Sequence, residues 1–156
     1  MDDSENFSDS PDGGTERAKR FALLHSLAAK FLHDVEVSAH FAGEVDIVES
    51  TEQKGVFEST LWLQGTGRGF FVQERRLNAE YAEGVLAELA DYWSEPVMEA
   101  VLEAAGVESA RLWPKCPIHM HALNPEVRAG RARWCCPVDK TITFLIGDLP
   151  AAPKGT

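Results

Sequence analysis

The chain has few cysteines, no long apolar run and no overall surplus of basic groups. It has three cysteines among 156 residues. The number is odd, and adjacent cysteines such as Cys135 and Cys136 rarely satisfy disulfide geometry. No apolar run reaches the roughly 18 residues of a membrane-spanning helix, and the first residues are rich in Asp and Ser rather than basic and then apolar, so no secretory signal is visible. We therefore expect a soluble cytoplasmic protein with reduced thiols and no membrane partner.

The net charge of −10 is distributed unevenly along the chain. Residues 1–106 carry 8 basic and 21 acidic groups, a balance of −13, whereas residues 107–156 carry 7 basic and 4 acidic groups, a balance of +3. Such an acidic surface disfavours nucleic acid as a partner. The basic segment nevertheless contains a modest patch of cations, so a small nucleic-acid-binding regulator is kept as an alternative. The patch consists of Arg128, Arg131, Arg133 and Lys140.

Composition divides the chain into four segments. Residues 1–15 and 150–156 contain too few apolar groups to repay the entropy of ordering, so both are predicted to be disordered tails. Residues 16–106 are predicted to form an acidic α+β domain, and residues 107–149 a zinc-ribbon-like module.

Periodicity predicts the elements of the α+β domain. Helical spacing of apolar residues indicates a first helix over 16–32. Strict alternation of apolar and polar residues over 35–41 predicts a strand. Three more strands, predicted over 45–48, 56–64 and 70–75, complete a four-stranded antiparallel meander. A long helix follows Asn78, and its Ser94-Glu-Pro96 sequence predicts a kink or a restart.

Two copies of one short motif, a cysteine and a proline followed by a ligand residue, stand near the C-terminus. They are Cys116-Pro-Ile-His119 and Cys136-Pro-Val-Asp139, and 16 residues separate them. The spacing matches the C-x2-C-x15–20-C-x2-C pattern of zinc ribbons, with His and Asp in place of the second cysteine of each pair. Proline stiffens each turn and lowers the entropy lost on binding. Residues 131–135 and 140–146 are predicted to form the supporting hairpin, with Trp113 and Trp134 placed to cover the metal.

The sequence leaves the fourth ligand open. Cysteine thiolates and neutral histidine suit tetrahedral Zn²⁺, and the preferred set is Cys116, His119, Cys136 and one of His121 or Asp139. Cys135 is a further candidate, although adjacent cysteines seldom bind one ion. Four protein ligands would make the zinc structural. A ribbon-like hairpin that is held by aromatic packing alone is the alternative without metal.

The stretch WPKCPIHMHALNPEVRAGRARWCCPVDKTITFLIG, residues 113–147, resembles the C-terminal element of a family of small uncharacterised actinobacterial proteins. These end in a W-P-x-C-P-x-H-x-H…W-x-C-P pattern after an acidic helix. The resemblance implies a ribbon-like pair of turns with Cys116, His119, His121 and Cys136 at the shared positions. This sequence departs from the pattern at Met120, where a proline is usual, and at the additional Cys135. The resemblance brings no function with it.

These features favour a non-enzymatic protein-interaction or adaptor protein with a structural zinc module. Its expected partner is an unidentified protein, with a second copy of the chain as one candidate. The main alternative is a metal-dependent enzyme, in which the same Cys and His ligands hold the ion, water takes an open position and a carboxylate such as Asp139 acts as base.

Overall fold

The computed structural model describes residues 11–39, 44–49, 58–64, 66–105, 113–119 and 121–151. Over these ranges the fold is α+β, with two α-helices and two three-stranded antiparallel sheets. Neither of these helices combines the length and the apolarity needed to cross a membrane.

Helix α1 (Pro11–Ala39) is longer at both ends than predicted. It absorbs most of the strand predicted over 35–41, and residues 40 and 41 lie outside the described residues. The alternation at 35–39 was misleading because Val35 also continues the helical stripe of Leu24, Leu27 and Phe31, all of which are buried. The Ser38 hydroxyl bonds back to the carbonyl of residue 34, as in a helix interior.

The first sheet therefore contains three strands rather than four. They are β1 (Val45–Glu49), β2 (Glu58–Leu63) and β3 (Arg68–Gln73), paired in that order. Alternation directs Leu61, Leu63 and Val72 into the core. On the outer face Trp62 lies across Gly69, where an added Cβ would come within 2.9 Å of the indole ring.

Helix α2 (Ala82–Ala105) follows β3 after a short 3-10 turn, Glu74–Arg76. Asn78 caps the approach to the helix, since its Oδ1 accepts hydrogen bonds from the backbone N–H groups of Glu80 and Tyr81 at 2.9 and 3.3 Å. The helix continues through Pro96. Of the two predicted alternatives, a kink or a restart, the restart was therefore wrong.

The second sheet replaces the predicted two-stranded ribbon hairpin. It consists of β4 (Asn124–Arg128), β5 (Arg131–Cys135) and β6 (Thr143–Leu145), with β5 in the centre. The pairing of β5 with β6 confirms the predicted association of these segments, although β6 is shorter than 140–146. Strand β4 was missed because it contains Pro125 and shows no alternation, both of which an edge strand tolerates. Ala129 and Gly130, both with positive φ, form the tight turn that joins β4 to β5.

One hydrophobic core joins both sheets to both helices. At its centre Phe31 of α1 contacts the rings of Trp93, Trp113 and Trp134, with centroids 5.7, 5.7 and 6.5 Å away. The metal-like segment thus shares its core with the helices. Of the two predicted tails, residues 1–10 and 152–156 lie outside the described residues. The prediction of disorder was wrong for residues 11–15, which form the start of α1. The domain boundaries stay a prediction.

Candidate metal site

The first turn is a small closed loop. Lys115 and Ala122 form an isolated antiparallel bridge. The backbone N–H of Cys116 donates to the carbonyl of His121 at 2.7 Å, and that of Leu123 to the carbonyl of Pro114 at 2.6 Å. Both ends of the loop are therefore fixed, and the Cys116 and His119 side chains are held on the same turn.

The second turn leaves β5 and returns to β6. The backbone N–H of Cys136 donates to the carbonyl of Ile142, and the N–H of Ile142 donates to the carbonyl of Asp139, both at 3.0 Å. The N–H of Asp139 points at the Cys136 sulfur, 3.4 Å away. The second turn therefore repeats a feature of the first, in which backbone N–H groups face the leading cysteine sulfur.

The two turns bring three metal-binding side chains together. The sulfurs of Cys116 and Cys136 and one ring nitrogen of His119 all lie within 4.8 Å of one another. His119 Nδ1 is 3.3 Å from the Cys136 sulfur and 3.8 Å from the Cys116 sulfur. Both cysteines are 0 % exposed and His119 is half-buried. These three residues lie close enough to hold a metal ion.

The first turn also stabilises the thiolate that metal binding requires. Burial raises the pKa of the Cys116 thiol, but hydrogen bonds outweigh it and lower that pKa to about 7. In order of size, the lowering comes from the backbone of His119, the backbone of Ile118, and the side chains of His119 and Cys136. Hydrogen bonds favour the charged form when they are made to it, so these contacts favour the thiolate, which is the form in which cysteine binds a metal.

Three other predicted ligands lie outside this group. Asp139 Oδ1 accepts hydrogen bonds from the Thr141 backbone N–H at 2.9 Å and the Thr141 hydroxyl at 2.7 Å, and these bonds lower the pKa of Asp139. His121 is exposed, with its ring stacked on that of His119 at a centroid distance of 6.5 Å. The Cys135 sulfur faces the carbonyl of Arg133 at 3.7 Å, and burial raises the pKa of its thiol.

Asp34 is the residue that sequence reasoning missed. This fully buried carboxylate on α1 accepts hydrogen bonds from the Trp134 indole N–H at 2.8 Å and from the backbone N–H groups of Gly147 and Leu149 at 2.7 and 3.0 Å. It thereby ties the strand that leads into the second turn, and the chain after β6, to the first helix. The ring of the adjacent His33 also lies 3.4 Å from Asp34 Oδ1. No local pattern reveals the anchoring role of Asp34, because the three N–H donors lie 100 or more residues away in the sequence.

Two further contacts fix the second sheet to the helices. The Trp113 indole donates to the hydroxyl of Ser38 at 2.8 Å, and Glu83 on α2 accepts from the backbone N–H of Ala132 at 2.7 Å. Tryptophan N–H groups and backbone N–H groups need such partners when they are buried. Trp113 and Trp134 are thus buried, and each donates a hydrogen bond to a residue of α1.

The basic patch is partly neutralised by neighbouring carboxylates. Arg128 pairs with Glu126 at 3.0 Å, and Arg131 lies 3.5 Å from Glu83. Ion pairing of this kind reduces the number of cations available to a phosphate backbone.

A scan against protein-family models, a search of curated proteins and a search of solved structures find no match to this chain.

Proposed function

We propose that this chain is a protein-interaction protein whose C-terminal sheet is stabilised by a structural zinc ion. The observation that carries the proposal is the group formed by Cys116, His119 and Cys136, whose donor atoms converge within 4.8 Å. The resemblance of residues 113–147 to the small actinobacterial family rests on the same turns and is part of this proposal.

Zinc is the ion that this donor set fits best. Two thiolates and one imidazole are typical zinc ligands, and Zn²⁺ takes a tetrahedral set of such donors without redox chemistry. Carboxylate and carbonyl oxygens, which Mg²⁺ and Ca²⁺ prefer, are absent from the group of three.

A structural role follows from the surroundings of the two sulfurs. Cys116 and Cys136 are fully buried and belong to the same core as Trp113 and Trp134. An ion held there joins the two turns and closes the loop that contains β4 and β5. Two residues compete for the fourth coordination position, His121 beside His119 and Asp139 on the second turn.

The interaction role is supported by large apolar side chains on the described surface. Phe71, Ile118 and Val138 are 61 %, 66 % and 57 % exposed. Ile118 and Val138 lie on the two turns that converge at the donor group, whereas Phe71 belongs to the first sheet. Exposed apolar side chains that lie together typically mark sites for protein partners. We therefore assign the zinc to stability and the surface to binding.

The test of the zinc site is elemental analysis of protein expressed with zinc and purified without chelator. We expect one zinc per chain in the wild type and its loss in C116S and C136S. Cys135→Ser is the matched control, because Cys135 is equally buried and adjacent to the site but outside the donor group, so it should retain the ion. A wild-type protein without stoichiometric zinc would end the proposal.

The alternative is a metal-dependent enzyme. One observation favours it, namely that three donors converge rather than four among the described residues. Catalytic zinc sites use three protein ligands and water, and three donors converge in the part of the chain that the structure describes. Cobalt substitution distinguishes the two roles. If a protein side chain completes the site, either H121A or D139A changes the visible spectrum while added azide leaves the wild-type spectrum unchanged. An azide-sensitive wild-type spectrum supports the enzyme.

A further inference from the structure

Both metal-binding turns carry an exposed aliphatic residue at the same position. Ile118 precedes His119 in the first turn, Val138 precedes Asp139 in the second, and they are 66 % and 57 % exposed. Each follows an exposed proline. A turn position generally favours Gly, Asn, Asp or Ser, so neither isoleucine nor valine is there for the sake of the turn.

The repetition distinguishes this surface from scattered exposed side chains. Single apolar residues on a surface are ordinary. Here the equivalent position of each of the two turns carries a β-branched aliphatic side chain. Because the donor atoms of Cys116, His119 and Cys136 converge within 4.8 Å, the two turns that carry these residues meet at one place. We call Pro117, Ile118, Pro137 and Val138 the knuckle tips.

Charge around the knuckle tips indicates what kind of partner fits them. Lys115 stands directly before the first turn and Lys140 directly after the second, and Arg128 donates through Nη1 to the carbonyl of Lys140 at 3.0 Å. This segment is the basic part of an otherwise acidic chain. Asp139 stands between Val138 and Lys140, and Glu126 neutralises Arg128 at 3.0 Å. Among the described residues no carboxylate is ion-paired with Lys115 or Lys140. Since salt screens exposed charges beyond about 8–10 Å, these two lysines are the cations that a partner's carboxylates would meet.

We propose that the knuckle tips are a docking surface for a polypeptide segment that presents aliphatic side chains flanked by carboxylates. The aliphatic groups would cover Ile118 and Val138, and the carboxylates would meet Lys115 and Lys140. The acidic remainder of the chain would repel such a segment elsewhere, which favours one orientation. This inference rests on the proposed function, because the ion is what would hold the two tips together.

A second copy of the chain fits the same surface poorly. Each copy carries a net charge of −10, so two copies repel one another, and a symmetric contact would bring the basic surroundings of the knuckle tips of both copies together. The outer face of the first sheet is the other apolar surface, with Val48 and Phe71 exposed.

The experiment uses the full zinc-loaded chain as bait for a phage-displayed library of random linear peptides. We expect the enriched peptides to combine aliphatic residues with Asp or Glu. Affinity of the best peptide, measured by fluorescence anisotropy, should fall about tenfold or more in I118S/V138S, as when interface anchors are truncated. Phe71→Ser, which removes a comparably exposed apolar side chain from the first sheet, should leave the affinity unchanged.

Two measurements on the same samples separate the ways in which the inference can fail. Equal zinc content and melting temperature in wild type and I118S/V138S show that the variant is folded. If the wild type contains zinc but no peptide is enriched, or the peptides bind I118S/V138S as well as wild type, the docking surface is refuted and the zinc proposal stands. If light scattering shows a dimer that I118S/V138S dissociates, the occupant is a second copy and the proposed partner is wrong. If zinc is missing, the proposed function itself fails.

Discussion

The two sheets of this protein are stabilised by different means. The first sheet buries one apolar face, with Leu61 and Val72 almost inaccessible to solvent, and its strand order follows the chain. The second sheet also buries side chains in the shared core, Ala132 and Trp134 among them, and it adds specific polar contacts. The Asp34 carboxylate on α1 accepts a hydrogen bond from the Trp134 indole, and three side chains that could hold a metal ion meet where two turns converge. Alternation can build the first kind of sheet from many interchangeable residues. Each polar contact of the second sheet, by contrast, is made by one particular pair of residues.

This difference explains why a short and irregular sheet can be stable. Strand β6 has three residues and β4 contains a proline, so their hydrogen-bond ladders contribute little alone. The aromatic contact of Trp134 with Trp113, with centroids 5.5 Å apart, and the contacts of Asp34 supply the remaining support. On our proposal the ion supplies more.

Removing the metal should produce the largest difference in stability between the two sheets. In zinc-loaded protein, a chelator should lower the melting temperature and raise amide exchange in β4–β6 far more than in β1–β3. The loss should be smaller than the roughly 10–16 kcal/mol of isolated zinc-finger peptides, because this segment shares its core with α1 and α2. Equal exchange in both sheets after chelation would show that the ion does not stabilise the second sheet.

Truncation in the core of the first sheet should come next in size. Leu61 is fully buried, so Leu61→Ala should cost about 2–5 kcal/mol in the free energy of unfolding. Urea denaturation measures it, and zinc content should stay unchanged because the site lies in the other sheet. A loss of zinc at low denaturant would mean that the two sheets unfold together.

Neutralising the buried carboxylate should have a smaller effect, directed at the second sheet. Asp34→Asn retains one oxygen but turns an amide group towards donors, so one or two of the Trp134, Gly147 and Leu149 N–H groups lose their acceptor. Each orphaned buried donor costs about 1–3 kcal/mol. Ser38→Ala, which removes the acceptor of the Trp113 indole, serves as the comparison.

The measurement for Asp34 is a double-mutant cycle with Trp134→Phe, which keeps an aromatic ring and removes the indole N–H. We expect a favourable coupling energy between the two sites in urea denaturation. Additive effects of D34N and W134F would contradict the anchoring role of this bond.

The smallest effect concerns an ion pair beside the first sheet. Arg76 holds Glu88 through two hydrogen bonds, and the bond to the guanidinium lowers the pKa of Glu88 below its ordinary value of 4.5. The charged carboxylate is therefore favoured by folding, and this stability is present above that ordinary value and lost as pH falls through the lowered one. Because Glu88 is more than half exposed, Glu88→Gln should cost less than about 1 kcal/mol at pH 7.

The check is urea denaturation of wild type and E88Q at pH 7 and pH 3. The small difference between them should shrink at the lower pH. A difference that grows on acidification would show that the sign of the linkage is wrong.

Local periodicity predicted much of the first sheet and both helices. The stripe that includes Leu24, Leu27 and Phe31 gave α1, and the strands predicted over 45–48, 56–64 and 70–75 located β1, β2 and β3 to within a few residues. The error at 35–39 arose because five residues are too few to separate a period of 2 from a period of 3.6 when both place Val35 inside. Strand β4 carried no apolar pattern from which it could be predicted.

The candidate site was partly visible for a different reason. Two turns with the same cysteine and proline suggested that their side chains share a centre, and Cys116, His119 and Cys136 do lie together. Whether His121 or Asp139 completes the site remains a prediction. The spacing allows both, and only the direction of each side chain distinguishes them.

The sequence by itself determined the elements of local order: two amphipathic helices, the strands of the first sheet, and the paired turns with their cysteines and histidine. These depend on residues close together along the chain, where spacing alone sets which side chains share a face. Only the tertiary structure decided that Asp34 accepts a hydrogen bond from Trp134, which lies 100 residues away in the sequence, and that both sheets share one core. Such contacts depend on how elements pack in space, and a single buried carboxylate leaves no periodic trace along the chain.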